Sequence, residues 1–144
     1  MFIGKYYYKL QANNRISLPA TFRSQSAQWV ITRGLDGCLF LYPKNSFQEE
    51  ISQLSTRSFT KKANRDLVRI MTNEAKELEV DQLGRVRLPD YLVQQITLSQ
   101  AIVIVGSFNR VEIWDQDQYH QYQTTLENNA EIIAESIETK SSIS

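Results

Sequence analysis

The feature that most limits what this chain can fold into is a stretch that occurs twice. Leu10-Gln11-Ala12-Asn13-Asn14-Arg15-Ile16-Ser17-Leu18-Pro19 and Val80-Asp81-Gln82-Leu83-Gly84-Arg85-Val86-Arg87-Leu88-Pro89 both read as strand end, tight turn, short strand and helix start. In each copy an Arg follows the turn and opens the short strand. The two-residue period of a strand sends Ile16 and Leu18, or Val86 and Leu88, to one side, and Arg15 and Ser17, or Arg85 and Arg87, to the other.

Turn chemistry accounts for the residue types between the strands. Asp81 can accept hydrogen bonds from backbone N–H groups two or three residues on, and Gly84 can take the positive φ that reverses the chain. Asn14 stands where Gly84 does, and Asn is the residue that next best tolerates the left-handed conformation. Gln11 stands where Asp81 does, and its longer side chain closes a local turn poorly. Pro19 and Pro89 occupy first helical positions, where a missing N–H costs nothing.

The repetition extends beyond the turn. In the first copy, Tyr6-Tyr7-Tyr8-Lys9-Leu10 is a strand, Pro19 to Arg23 a short helix, and Trp29–Arg33 and Leu39–Tyr42 two strands across a Gly34-Leu35-Asp36-Gly37 turn. Phe47, Ile51 and Leu54 then recur at helical spacing. In the second copy, Leu78–Val80 precedes the turn, Pro89–Val93 starts a helix, and Ala101–Val105 and Val111–Trp114 are strands across Gly106–Arg110. Arg15 and Arg85 are offset by 70 and Gly34 and Gly106 by 72, so two residues are inserted between helix and strand. This is a duplicated β-α-β-β unit, with too few copies for a solenoid. Such a unit has little core of its own and leaves sheet edges open. Two of them solve both problems by interleaving hairpins into one barrel about an internal pseudo-twofold axis. The fold class is therefore α+β.

Between the copies, Thr60 to about Thr72 is predicted helical, with Leu67, Val68 and Met71 buried and Lys61, Lys62, Arg65 and Arg69 exposed. Past Asn128 a last short helix is expected around Ile132, Ile133 and Ile137, with Lys140–Ser144 frayed.

Composition bounds the function. The 144 residues suit one domain or two small ones sharing a core, and 42% hydrophobic with 22% charged residues is a globular balance. Cys38 is the single cysteine, so no internal disulfide forms, as suits a reducing cytosol. Met1–Tyr6 lacks a signal-peptide run and no stretch approaches the roughly 20 apolar residues of a membrane span, so a soluble protein is expected. The net charge of zero hides segregation. Residues 1–35 carry Lys5, Lys9, Arg15, Arg23 and Arg33 and no acid, residues 56–76 hold six cations against two acids, and residues 111–144 hold seven acids and one Lys. A segregated basic portion can bind a polyanion, because the field at the contact surface decides; the charges are alternatively solvated faces.

Catalysis finds no foothold. His120 is the only histidine and falls in a polar helix, Cys38 has no second Cys or nearby His, and neither a nucleophile elbow nor a phosphate-cradling glycine loop occurs. Glu49 with Glu50 and Asp115 with Asp117 read as helix-start or solvent charges. No enzyme activity, cofactor, metal or small-molecule substrate is expected. Trp29, Phe40, Tyr42, Trp114 and Tyr119 fall at core positions.

Nucleic-acid binding uses the repeated Arg. A guanidinium at the mouth of a β-turn is held by its backbone and can donate two hydrogen bonds to guanine O6 and N7 in the major groove, which admits a two-stranded ribbon. Asn13 and Asn14 can add base or phosphate contacts, and Lys5, Lys9 and Arg87 can neutralise phosphates. The other reading is structural, with each Arg paired to an acid that fixes the turn, as Arg85 could with Asp81.

Met1-Phe2-Ile3-Gly4, Arg15 with Leu18-Pro19-Ala20, Thr32-Arg33-Gly34-Leu35-Asp36-Gly37-Cys38-Leu39-Phe40, and Asp81-Gln82-Leu83-Gly84-Arg85 followed by Glu112-Ile113-Trp114 together closely resemble the MraZ family of bacterial transcriptional regulators, from Met1 to about Tyr122. The resemblance implies two tandem AbrB-like swapped-hairpin units, at residues 5–47 and 76–119, with a helical connector at 48–75 and a C-terminal helix and tail at 120–144. It implies a cytoplasmic, nucleoid-associated repressor that binds double-stranded DNA at short promoter repeats upstream of the division and cell-wall gene cluster, its own promoter included. It also implies homo-oligomeric rings that add many weak contacts through effective concentration. The family's turn carries Asp, three residues, then Arg, usually with Gly before the Arg. Asp81, Gly84 and Arg85 keep this pattern, whereas the first copy keeps Arg15 and departs at Gln11 and Asn14. The alternative function is a ring-forming scaffold whose basic face is incidental.

Overall fold

In the computed structural model, which describes residues 1–143 and the side chains of residues 1–138, each copy of the repeated stretch sits near the start of one unit. The first unit comprises β1 (Lys5–Lys9), β2 (Arg15–Ser17), α1 (Ala20–Arg23), β3 (Gln28–Arg33) and β4 (Leu39–Pro43). Helices α2 (Lys44–Thr56) and α3 (Lys62–Asn73) lead to the second, β5 (Lys76–Glu79), β6 (Arg85–Arg87), α4 (Asp90–Gln95), β7 (Ala101–Gly106) and β8 (Val111–Asp115). Helices α5 (Gln116–Asn128) and α6 (Ala130–Ile143) follow.

Neither unit completes its own sheet. Six strands run in the order β1-β7-β8-β4-β3-β5, all antiparallel, so that β1 pairs with β7 of the second unit and β5 with β3 of the first. Exchanging the two units reverses this order and leaves it unchanged. The central pair is β4 with β8, where Phe40 lies opposite Glu112, its own equivalent in the other unit. Among the described residues, the short strands β2 and β6 pair only with each other. The ladders place Trp29 opposite Leu78 and Ile102 opposite Tyr8, which makes three residues, rather than two, the insertion before β7. The second hairpin recovers one of them: Arg33 and Leu39 flank five loop residues, Gly106 and Val111 four.

The expected closed barrel is not formed. β1 and β5 remain the outer strands of an open six-stranded sheet, and β2–β6 is a separate two-stranded ribbon. In the turns that follow β1 and β5, Asn13 (φ 58°), Asn14 (φ 57°) and Gly84 (φ 76°) adopt left-handed conformations, and the chain leaves the six-stranded sheet for the ribbon there.

The sheet divides two apolar layers. Its inner face presents Ile31, Leu39, Leu41, Ile102, Ile104 and Ile113 to Ile16, Leu18, Val86 and Leu88 around the ribbon and to Phe22 and Leu92 of the short helices, in one buried cluster. Its outer face presents Phe40, Tyr42 and Trp114 to Met71, Phe47, Ile51 and Leu54 of the connector helices and to Tyr119 and Tyr122 of α5. Trp29, Phe40, Tyr42 and Trp114 are buried as their sequence positions predict, and Tyr119 only partly. Within α3, Met71 is buried, but Arg65, expected on the exposed face, is half-buried and donates to the Phe59 carbonyl at 2.7 Å. Asp115 caps α5 by accepting the Gln118 N–H at 3.4 Å. The tail expected to fray is helical as far as Ile143, and Ser144 lies outside the described residues.

Because every ladder outside the two hairpins joins one unit to the other, the chain is expected to unfold as a single step. Trp29 and Trp114 lie in different units, so Trp29→Phe and Trp114→Phe leave one reporter each. In urea, each variant's fluorescence midpoint should coincide with its own circular dichroism midpoint; two separated transitions contradict the interleaving. Ile104→Ala, at a side chain with no exposed surface, should cost about 2–5 kcal/mol in the same assay.

Candidate nucleic-acid interface

The two repeated turns are held by equivalent backbone hydrogen bonds. Gln11 N–H donates to the Arg15 carbonyl and Asp81 N–H to that of Arg85, both at 2.8 Å. Leu88 N–H donates to the Asn14 carbonyl at 2.8 Å and Leu18 N–H to that of Gly84 at 3.0 Å, extending the β2–β6 ribbon by a bond at each end. Asn14 thus takes both the left-handed φ and the carbonyl role of Gly84. Its side chain donates to Asp90 of the second unit.

Side chains treat the two turns differently. Asp81 Oδ1 accepts the Leu83 and Arg85 N–H groups at 2.9 Å each, two and four residues on, and Oδ2 accepts Arg85 Nε at 3.0 Å. The Arg85 backbone N–H, more than its guanidinium, holds the Asp81 carboxyl below the usual carboxylate range. Gln11 does not close its own turn. Its side chain donates to Ser17 Oγ of its own unit at 3.1 Å and accepts Arg85 Nη1 of the other unit at 3.3 Å. Arg23 joins from α1: its Nη1 donates to the Leu18 carbonyl at 2.8 Å, and a Cβ at Gly84 would stand 3.1 Å from its guanidinium. The bond from Arg85 to Gln11 and the closeness of Arg23 to Gly84 have no local sequence signal, because both join residues of different units.

Ribbon register sets the charge pattern. Arg15 lies opposite Arg87, Ile16 opposite Val86, and Ser17 opposite Arg85. Ile16 and Val86 point into the core, leaving three arginines and a serine on the other face. Arg85 pairs with Asp81, as the structural reading of the sequence allowed, and its Nη2 has no partner among the described residues. The guanidiniums of Arg15 and Arg87 make no ion pair or hydrogen bond among the described residues. Like charges placed directly opposite on a sheet are destabilising, where a favourable pair contributes about 0.2–1 kcal/mol.

The remaining named residues are spread more widely. Asn13 is exposed beside Asn14 at the turn. Lys9 is exposed at the end of β1 that enters the turn, whereas Lys5 lies at the far end, roughly 13 Å along the strand, with its Nζ 3.5 Å from Gln123 Oε1. The structure therefore gathers Asn13, Asn14, Arg15, Arg85 and Arg87 around the ribbon, sets Lys9 next to it and leaves Lys5 apart.

Other polar groups lie away from the ribbon, and Glu74 Oε2 is buried without a hydrogen-bond partner among the described residues. His120 is exposed, its Nε2 3.0 Å from the Tyr7 hydroxyl. Cys38 is buried, donates to the Leu35 carbonyl at 3.2 Å, and burial pushes its thiol up. Among the described residues, no cluster of His, Cys, Asp or Glu is placed to hold a metal ion, and no helix is long and apolar enough to cross a membrane.

These features define a duplicated α+β protein whose two units share an arginine-bearing ribbon. The profile of a family described as "MraZ protein, putative antitoxin-like" matches the chain twice, at residues 1–70 and 71–139, in step with the structural repeat. Proteins named transcriptional regulator MraZ are similar over nearly the whole length. That of Natranaerobius thermophilus is 40% identical over 141 residues, covering 95% of this chain and 96% of its own. That of Desulforamulus reducens is 36% identical over 138 residues, covering 95% and 97%, and that of Ligilactobacillus salivarius is 37% identical, covering 95% and 96%. The chain belongs to the MraZ family, whose matched members are named for transcriptional regulation and not for catalysis.

The Asp81 clamp gives a pH dependence with a definite sign. A carboxyl whose folded pKa is depressed adds stability above its unfolded pKa and loses it as pH falls through the folded value. The Asp81 carboxyl, followed by carbon NMR on acidification, should therefore titrate below its ordinary value of 3.8. Arg85→Gln should raise that midpoint only in part, because the backbone N–H bonds remain. A midpoint unchanged from an unstructured peptide contradicts the clamp.

Proposed function

We propose that this chain is a sequence-specific DNA-binding repressor acting in the cytoplasm on nucleoid DNA, at short repeats upstream of the division and cell-wall gene cluster, including its own promoter. The observation that carries this reading is the ribbon: three guanidiniums on three residue pairs, two of them directly opposed and without a counter-ion among the described residues. Such an array is unfavourable alone and is relieved by a polyanion. The exchange of β1 and β5 between units supports assigning both halves, at residues 5–47 and 76–119, to the AbrB-like swapped-hairpin class, with residues 48–75 as connector and 120–144 as C-terminal extension.

Roles follow from how firmly each side chain is held. Arg15 and Arg85 read base edges, with Arg85 aimed by Asp81 and Gln11. Because β2 and β6 are antiparallel, the two lie roughly 7 Å apart along the ribbon, or about two base steps at 3.4 Å each. Arg87 and Lys9 neutralise phosphates, Asn13 and Asn14 add contacts at the turn, and Lys5 contributes only to the wider field. Rings of this chain present many ribbons at once, so weak single contacts add through effective concentration.

The test is a binding titration across salt on the repeats upstream of the gene and on a scrambled duplex. Arg15→Ala and Arg85→Ala should each cost about 1–3 kcal/mol on the repeat and relax preference at one position, whereas Arg87→Gln should weaken both duplexes alike and reduce the salt slope by about 1. Equal loss on both duplexes for Arg15 and Arg85 reassigns them to phosphates. No loss for either, with no preference for the repeat, leaves the scaffold reading in place of this one.

A further inference from the structure

Leu83 lies in the second turn with 73% of its surface exposed, more than any other large apolar side chain among the described residues. The turn uses only its backbone. Leu83 N–H donates to Asp81 Oδ1 at 2.9 Å, Gly84 N–H donates to the Asp81 carbonyl at 3.0 Å, and Gly84 supplies the left-handed φ. Nothing in that closure requires a leucine. A lone exposed apolar residue is ordinary on a protein surface, but this one stands two positions from Arg85. The same Asp81 oxygen accepts the N–H groups of both residues, which fixes one relative to the other.

The internal repeat supplies the comparison. At the offset of 70, Asn13 stands where Leu83 does and Lys9 where Glu79 does. Lys9, Asn13 and Arg15, with Arg87 opposite Arg15, surround the first turn with donors and positive charge that suit phosphate oxygens. Around the second turn stand Glu79, Asp81 and Leu83, with Arg85 tied to Asp81 and Ser17 opposite it. Arg23 lies against Gly84 there, its Nη1 bonded to the Leu18 carbonyl. Two carboxylates and an apolar side chain match a phosphate backbone poorly. They match the floor of the major groove better, because thymine presents its 5-methyl group there to apolar side chains.

Given the DNA-binding reading, on which this rests, we infer that Leu83 is a specificity-determining residue that covers the 5-methyl group of a thymine beside the base read by Arg85. Two residues of chain span at most roughly 7 Å. The thymine therefore lies within about two base steps, at 3.4 Å each, of the pair that Arg85 reads. Asn13 offers an amide in place of the leucine, so the methyl reading belongs to the second turn alone. Burying one group of methyl size is worth about fourfold in affinity.

Uracil differs from thymine only by that methyl, so the contact can be removed from the DNA with the protein left intact. The full chain is titrated at one salt concentration onto duplexes of the promoter repeat in which each thymine of either strand is replaced in turn by uracil. For wild type, one uracil within two steps of the pair whose preference Arg85→Ala relaxes should weaken binding about fourfold. Leu83→Ala, with an unchanged circular dichroism spectrum, should bind the thymine duplex more weakly and no longer distinguish it from that uracil duplex. Preference for the repeat with no uracil effect within those two steps overturns the inference and leaves the DNA-binding reading standing. So does a Leu83→Ala chain that still distinguishes the two duplexes, since another group then reads the methyl. A wild type with no preference for the repeat over a scrambled duplex, or an Arg85→Ala variant that relaxes no position, overturns the underlying reading and the inference with it.

Discussion

Backbone pairing between the two halves is the interaction on which everything else rests. Among the described residues β1 pairs with β7 alone and β5 with β3 alone, so each half supplies the outer strand that the other lacks. The ribbon repeats the exchange, since β2 and β6 pair with each other. Apolar side chains then make the arrangement worth holding. Ile16, Leu18, Val86 and Leu88 fill one cluster with the sheet's inner face, and register errors of one residue would turn all four to solvent.

That scaffold decides where charge appears. A three-residue strand with its middle side chain buried must present its first and third outward, so the placement of Arg15, Arg85 and Arg87 follows from burying Ile16 and Val86. The backbone also fixes the carboxylate that holds Arg85: two N–H groups bind Asp81 Oδ1 while Oδ2 takes the guanidinium. Rigidity at the ribbon comes from the turn, and the arginine inherits it.

Much of this was legible in the sequence because it is local. The alternation around Ile16 and Val86, the left-handed φ of Asn14, the helix starts after Pro19 and Pro89 and the buried Trp29 and Trp114 follow from residue type and spacing within a few positions. What escaped depends on residues far apart. Gln11 looked like a defect in its turn, yet its partners are Ser17 and, 74 residues away, Arg85. The pairing of Arg15 with Arg87 follows only from the ribbon register. The open ladder in place of a barrel is a pairing of strands far apart in the chain, which no local residue pattern signals. Arg65 was assigned to solvent from helical period alone, and a carbonyl in the preceding loop drew it inward.

The near-twofold is imperfect where it is most exposed. One end of the ribbon has a carboxylate clamp at Asp81 and the other an amide at Gln11 that serves the opposite side. Two identical chains could not differ in this way, but a duplicated chain can let each half drift. Any linear molecule laid along the ribbon consequently meets unlike termini. It acquires a head and a tail, and inverted symmetry in that molecule confers no advantage.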